Sequence, residues 1–418
     1  MGIKIKEVID CYLSYKDYYI LGPSIAYCPN RKVKGYGDML LMADLFNASD
    51  SNTGTMLWRS TDGGKTWAIQ DYIEKSYIYD FNNSWVKSGY GAIYSDEKTG
   101  AMIFLANDTY WENNKIQSLW KKRTLYYRLS FDNGYTWTDK KYIVQKEKDS
   151  SGEIYDRIHF LKDVYFGKNM AASVSPMIIK AYDGSILVSV QVQFTDEKGE
   201  LINPTGWGYM KAGAIKGSWN EEKLDYEWDL GEYASVSLNE STRGVYEPTF
   251  GKIKENKLIM VMRGSNASRT DEIMGVKFYS VSKDNGYTWS KPLPLKYDDG
   301  TVMYSSSCIP KLINHSNGKL YFIGVINDSN PNGNLPRYPL CIAEVDMEKC
   351  CIIKDTVTVI DTKRKNQDES IENANIVDFS NHGIYEDKNT GDIIVFAPFR
   401  PDLKNYACVL NKYVISVS

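Results

Sequence analysis

Ser60-Thr-Asp-Gly-Gly-Lys-Thr-Trp67, Ser130-Phe-Asp-Asn-Gly-Tyr-Thr-Trp137 and Ser282-Lys-Asp-Asn-Gly-Tyr-Thr-Trp289 are three copies of one Ser-x-Asp-x-Gly-x-Thr-Trp octet. Each copy spells a hairpin turn. The Asp can accept hydrogen bonds from amides of its own turn, the Gly supplies positive φ, and Thr-Trp re-enters a strand with a large ring to bury. A pattern repeated three times makes the chain a series of hairpin units.

The spacing counts the units. Ser60 and Ser130 lie 70 residues apart, and Ser130 and Ser282 lie 152 apart, which is two units of 76 with one octet lost between them. A degenerate copy fits Tyr209–Trp219. Hairpins of a strand, a Gly, Asn or Lys turn and an apolar strand give a second count. They fall at Ser24–Phe46, Gly91–Asn107, Ser175–Phe194, Glu247–Arg263, Ser307–Asn327 and His382–Arg400. Six hairpins imply six blades of a ring. Tyr406–Ser418 supplies the last blade, and Ile3–Leu13 can pair beside it to close the ring and remove its open edges. No linker or low-complexity tract interrupts the pattern, so residues 1–418 read as one domain. Asp149–Val174 reads as a rim loop with room for a short helix.

Composition narrows the function. A net charge of −3 and a pI near 5.8 leave no basic footprint for nucleic acid or an anionic membrane. An anionic ligand must then be held by a few placed cations. The N-terminus carries charges where a signal peptide would be apolar, and no run of 18 apolar residues occurs, which predicts a soluble cytoplasmic protein. Seven cysteines without CxxC spacing predict reduced, mostly buried thiols. No His/Asp/Glu cluster has metal spacing and no Gly-rich phosphate loop follows a strand, so no cofactor is expected.

Blade geometry sorts the polar residues. Residues before a blade's first strand, at the end of its second and before its third share one face. That face is predicted to hold Asp44, Asp50, Asn107, Asp108, Gln193, Glu247, Arg263, Asn327, Asp328, Arg337 and Arg400, with the octets on the other. Three arginines and several carboxylates on one concave mouth suit an anionic sugar. Guanidinium grips carboxylate bidentately, and paired carboxyl groups do acid/base or nucleophilic work. His382, one of three histidines, is a further candidate as an acid or base near neutral pH.

The octets resemble the Asp boxes of the sialidase-like β-propellers. Over most of its length the chain is similar to bacterial exo-sialidases. The resemblance implies an all-β, six-bladed β-propeller with four-stranded antiparallel blades. It also implies an exo-glycoside hydrolase that releases a terminal acidic or modified sugar from a glycan. Tyr246-Glu-Pro-Thr-Phe-Gly-Lys-Ile, followed by Lys257-Leu-Ile-Met-Val-Met-Arg263, is similar to the family segment in which a Glu opens an inner strand and an Arg ends the next. By that resemblance Glu247 assists a nucleophile or acts directly, and Arg263 grips a carboxylate beside Tyr246. Arg337, in Asn334-Leu-Pro-Arg-Tyr-Pro-Leu340, stands where a second such arginine is expected. The acid/base aspartate is best placed on Asp50, with Asp44 as its rival.

Two departures stand out. Leu21 occupies the place of the first family arginine, and Phe379-Ser-Asn-His382 holds no tyrosine where the nucleophile belongs. Arg400, from the neighbouring blade, is the candidate replacement for the arginine, and Tyr385 for the nucleophile. A polysaccharide lyase or another hydrolase on the same scaffold, and an inactive glycan-binding propeller, are the alternatives.

Overall fold

The computed structural model describes the chain apart from residues 1, 30–37, 49–50, 79–83, 113–121, 144–145, 149–153, 157–160, 162, 165–168, 175, 207, 364–377 and 400–407. Six antiparallel sheets succeed one another along the sequence as six blades, with one extra two-stranded hairpin, Lys146–Lys148 with Ile154–Asp156. Blade 1 is Tyr19–Tyr27, Met39–Ala48, Ser51–Ser60 and Ala68–Lys75. Blade 2 is built on Trp85–Asp96, Ala101–Trp111 and Arg123–Ser130, with short strands at both edges. Blade 3 follows Ile186–Gln193 with Met210–Asn220 and Asp225–Leu230. Blade 4 is Tyr246–Lys252, Leu258–Arg263, Lys277–Ser282 and Leu293–Pro294. Blade 5 contains Lys311–Asn314, Leu320–Val325 and Leu340–Asp346. Blade 6 takes Gly383–Glu386, Ile393–Phe399 and Val409–Ser416 from the C-terminal end and Lys4–Leu13 from the N-terminal end.

Burial explains why these segments are strands. The second strand of a blade is covered on both faces by neighbouring blades, so Leu258–Arg263 and Leu320–Val325 are buried at every residue and, apart from Arg263, read as apolar runs. The fourth strand lies at the rim. Lys4–Leu13 is accordingly mostly exposed and mixed in character. Six apolar clusters lie between successive blades, such as Val188 and Trp228 of blade 3 with Leu105 and Tyr127 of blade 2. The ring closes through Phe396 and Tyr385 of blade 6 packed with Trp58 and Leu41 of blade 1.

The octets form the turns that their composition dictates. In the first, the Asp62 carboxylate accepts from the Thr66 amide at 2.9 Å, the Lys65 amide at 3.0 Å, the Thr66 hydroxyl at 2.6 Å and the Ser60 hydroxyl at 2.8 Å, while Ser60 Oγ accepts from the Gly64 amide at 2.8 Å. Asp132 and Asp284 repeat the arrangement. Each turn leans on the preceding blade. A Cβ on Gly134, at φ +79°, would lie 2.3 Å from Leu40 of blade 1, so glycine is required by contact as well as by conformation. The octets share a face with the first hairpin turns of the blades, as the Tyr182 amide bonded to Asn285 shows. Trp137 packs edge-on against Phe104 at 6.3 Å, and Trp289 stacks on Phe250 at 5.7 Å. Trp137→Ala is expected to cost about 3 kcal/mol in chemical denaturation; a loss below about 1 kcal/mol, the level of an ordinary surface change, would place the ring outside the core.

Two sequence expectations need correction. Tyr209–Trp219 is not a degenerate turn: it is strand Met210–Asn220 itself, and the turn follows, with Asn220 Oδ1 accepting from the Glu222 and Lys223 amides. Ala171–Ala172, inside the stretch read as rim loop, pairs with Gln191 and Val192 and so belongs to blade 3. Lys354–Thr356 forms a 3₁₀ turn.

Candidate functional site

On the face opposite the octets, blades 4 and 5 build a polar centre around Glu247. Tyr246 is cross-strand to Arg263, and the register then shifts before Thr249 pairs with Val261. This bulge puts Glu247 at φ +46°, a left-handed conformation that a glutamate adopts at a cost. The Gln191 side chain of blade 3 accepts the Glu247 amide at 2.7 Å. Re-aimed in this way, the carboxylate forms an ion pair with the Arg263 guanidinium, both side chains being about nine-tenths buried. Arg263 also donates to the Ser307 carbonyl and to Asn334 Oδ1 at 3.3 Å.

The aromatic ring of Tyr246 carries two cations. The guanidinium carbons of Arg243 and Arg263 each lie 4.6 Å from its centroid, and the Tyr246 hydroxyl bonds to Ser307 Oγ. Arg337 enters from blade 5 and pairs with Asp378 at 2.6 Å, which holds its guanidinium firmly protonated. Ser306-Ser307-Cys308 lies between the two arginines. Arg263 grips the Ser307 carbonyl, and the Ser306 hydroxyl donates to the Pro336 carbonyl, next to Arg337, at 2.6 Å. The Nε–H groups of Arg263 and Arg337 are buried without a partner. Each guanidinium therefore has donor capacity left after its ion pair.

Behind this front stand two buried lysines. Lys277 is cross-strand to Arg263, fully buried, and donates to the Ser306 carbonyl at 2.5 Å; burial pushes its pKa down to about 7. Lys311 is 4% exposed, and burial pushes it down to about 8 against the pull of Glu247. Both offset the negative charge of Glu247. Sequence reasoning missed them, together with Arg243, Ser307 and Asp378. The available signal was Lys277, a charge that follows Gly275-Val276 and opens the strand Lys277–Ser282 between apolar neighbours.

The other predicted residues separate. Asp44 is 1% exposed, sealed by Thr55 Oγ1 at 2.5 Å and the Tyr90 amide at 2.8 Å, and burial raises its pKa to about 7. It braces blade 1 against blade 2. Asn107 clamps the Ser173 backbone, Asp108 is buried against Lys140, and Asn327 holds the Ser306 amide. All three tie loops together beneath the face. His382 corrects its expectation as a substrate contact or acid/base group: it is fully buried with Nδ1 on the Phe379 carbonyl at 2.9 Å, and burial, aided by Lys311, pushes its pKa down to about 4. Tyr385 is likewise no nucleophile on this face, because it stacks on Phe396 in the core towards the octet of blade 1. Asp50 and Arg400 lie outside the described residues.

His382 makes a pH prediction. Its folded pKa lies below the ordinary 6.5, so the folded state resists the proton. The stabilisation is whole above pH 6.5 and is lost as pH falls towards 4, by about 3 kcal/mol at the acid end. Asp44, whose pKa is raised, acts with the opposite sign, contributing most below pH 4 and losing that contribution as pH rises through about 7. Denaturation of His382→Gln across pH 4 to 7 is expected to show a weaker acid decline than the parent. Parallel curves would count against a buried neutral imidazole.

No protein-family model matches this chain, and no curated protein matches it. Solved structures do. A protein of unknown function from Dyadobacter fermentans superposes with a TM-score of 0.61 at 13% identity, covering 100% of both chains. The intramolecular trans-sialidase from Ruminococcus gnavus, in complex with oseltamivir carboxylate, gives 0.61 at 14% identity over 97% of this chain and 95% of that one. The Hadza microbial sialidase Hz136 gives 0.59 at 15% identity over 96% of this chain, which spans 66% of that sialidase's length. Identities this low speak for architecture alone. The chain is an all-β, six-bladed propeller built on the fold of these sialidases.

Proposed function

We propose that the chain is an exo-acting glycoside hydrolase that removes a terminal sugar bearing an anionic group. The observation that carries this reading is Glu247. A residue held at φ +46°, nearly buried and paired with Arg263 spends conformational energy to aim one carboxylate, and such outliers collect at functional sites. Its role is that of the carboxylate that activates a nucleophile or attacks directly. Arg263 and Arg337, whose Nε–H groups are unspent, are the anion clamp, with Arg243 beside them over Tyr246. Asp50 remains the proposed acid/base.

Release of the aglycone from a panel of anionic and neutral aryl glycosides, with ultraviolet detection of unsaturated products, tests the proposal. Hydrolysis of an anionic member supports it, unsaturated product identifies a lyase, and hydrolysis confined to neutral members removes the anion clamp. A second reading, a sugar-binding propeller without turnover, is favoured by one observation: residues 379–382 contain no tyrosine and Tyr385 is enclosed in the core. Binding without release of any aglycone would establish it.

The clamp has its own signature. Arg337→Ala is expected to raise KM for an anionic substrate about 10- to 100-fold, matching ~1.5–3 kcal/mol for hydrogen bonds to a charged group, while a neutral analogue is unaffected. Equal losses on both substrates would show that Arg337 serves the fold through Asp378 instead.

A further inference from the structure

Near the end of the second strand in blades 1, 2 and 3, one side chain takes an amide from the inner segment of the next blade. Asp44 takes the Tyr90 amide at 2.8 Å, Asn107 the Ser173 amide at 3.0 Å and Gln191 the Glu247 amide at 2.7 Å. Two of these amides belong to residues in the left-handed region, Tyr90 at φ +57° and Glu247 at φ +46°, each at a break in strand register. The device fixes a bulge across a blade boundary.

The three copies differ in what they leave over. Asp44 commits its other oxygen to the Thr55 hydroxyl at 2.5 Å, and Asn107 commits its NH2 to the Ser173 carbonyl at 2.7 Å and the Gly89 carbonyl at 3.1 Å. Gln191 is 3% exposed, yet its NH2 makes no hydrogen bond among the described residues. The orientation of its amide follows from its partner: the Glu247 N–H is a donor, so the oxygen of Gln191 must face it, and the NH2 is left beside the Glu247 backbone. A donor held in a buried side chain without an acceptor is unfavourable, and a purely structural brace avoids it, as Asn107 does.

We infer that Gln191 both positions Glu247 and contacts the substrate: its oxygen holds the bulge, and its NH2 donates to an uncharged oxygen of the sugar, a hydroxyl or an acyl carbonyl. This inference rests on the reading of the Glu247 centre as a sugar site. Arg263 and Arg337 take the anionic group, which leaves an uncharged oxygen for an uncharged donor. The substrate is then an anionic sugar that keeps an oxygen-bearing substituent on the side facing blade 3, and losing that substituent weakens binding through Gln191.

Kinetics on versions of the responsive glycoside that each lack one oxygen-bearing substituent test it, with the parent and with Gln191→Met. In the parent, one analogue is expected to raise KM about 3- to 10-fold, the scale of one uncharged hydrogen bond, and in Gln191→Met that penalty is expected to vanish. In the same variant kcat on the full substrate is expected to fall at least about tenfold, because Glu247 loses its brace. Should Gln191→Met fail to fold, Gln191→Glu keeps an oxygen for the Glu247 amide and has no NH2, and the same penalty is expected to vanish there. Penalties equal in the parent and a folded variant for every analogue would overturn the substrate contact, and an unchanged kcat in folded Gln191→Met would overturn the positioning role. Turnover by the parent is read first and reports on hydrolysis alone. If the parent binds the sugar without turnover, dissociation constants from calorimetry give the same comparison, and the absence of any analogue whose penalty depends on Gln191 overturns the inference there too. A parent that neither turns over nor binds any anionic sugar overturns both this inference and the reading of the site.

Discussion

Glu247→Gln is expected to lower turnover on the responsive glycoside by at least about a hundredfold, the usual scale for losing a group that moves a proton in the transition state. The glutamine keeps the shape of the side chain, its packing in the bulge, and the backbone bond to Gln191. What it loses is charge. The Arg263 guanidinium would then face an amide oxygen where it faced a carboxylate, with Lys277 and Lys311 still close enough to feel the change. Three cations deprived of their shared anion also make the fold less stable, though by less than the ~3–5 kcal/mol typical of truncating one partner of a buried pair. Melting curves therefore accompany the kinetics. A folded Glu247→Gln protein with near-parental turnover would remove Glu247 from the chemistry and leave its strained backbone without a functional explanation.

Deleting residues 1–13 is expected to have the largest effect on stability. Lys4–Leu13 is the outer strand of blade 6, in register with Val409–Ser416 through six residue pairs from Lys4 opposite Ser416 to Leu13 opposite Leu410, and Lys6 pairs with Asp392 at 2.8 Å. At about 1 kcal/mol net for each backbone hydrogen bond, its loss removes roughly 5 kcal/mol, or about 6 °C in melting temperature for a domain of this size. It also bares the long edge of Val409–Ser416, which invites pairing between molecules. Thermal melting with size-exclusion chromatography reads both effects. A truncated chain that stays monomeric with an unchanged melting point would show that the ring closes through the interblade apolar contacts alone.

The fold was legible because its signals are local. An octet whose Asp, Gly and Trp satisfy their own turn works the same way in any blade, so three copies and six apolar hairpins were enough to count the ring. Glu247 and Arg263 were legible for a related reason. They flank one hairpin, and a strand pair of known register brings its ends together. Errors began where a role depended on what a different blade places opposite. Asp44 and His382 carry the right chemistry for a site, yet Tyr90 of blade 2 and the turn at Phe379 seal them in, and burial moves their pKa values in opposite directions.

The amino-acid sequence by itself determined the hairpin repeat, the number of blades, the N-terminal strand that completes the sixth, and the face on which Glu247, Arg263 and Arg337 stand. Only the tertiary structure decided which charges meet. The Arg337–Asp378 pair spans 41 residues, Lys311 belongs to a different blade from Glu247, and an axial cavity takes its lining from five blades. The physical reason is reach. A turn is stabilised by bonds within a few residues and is written into its own segment, whereas the field around a buried ion is the sum over every chain segment that folding brings within a few ångströms.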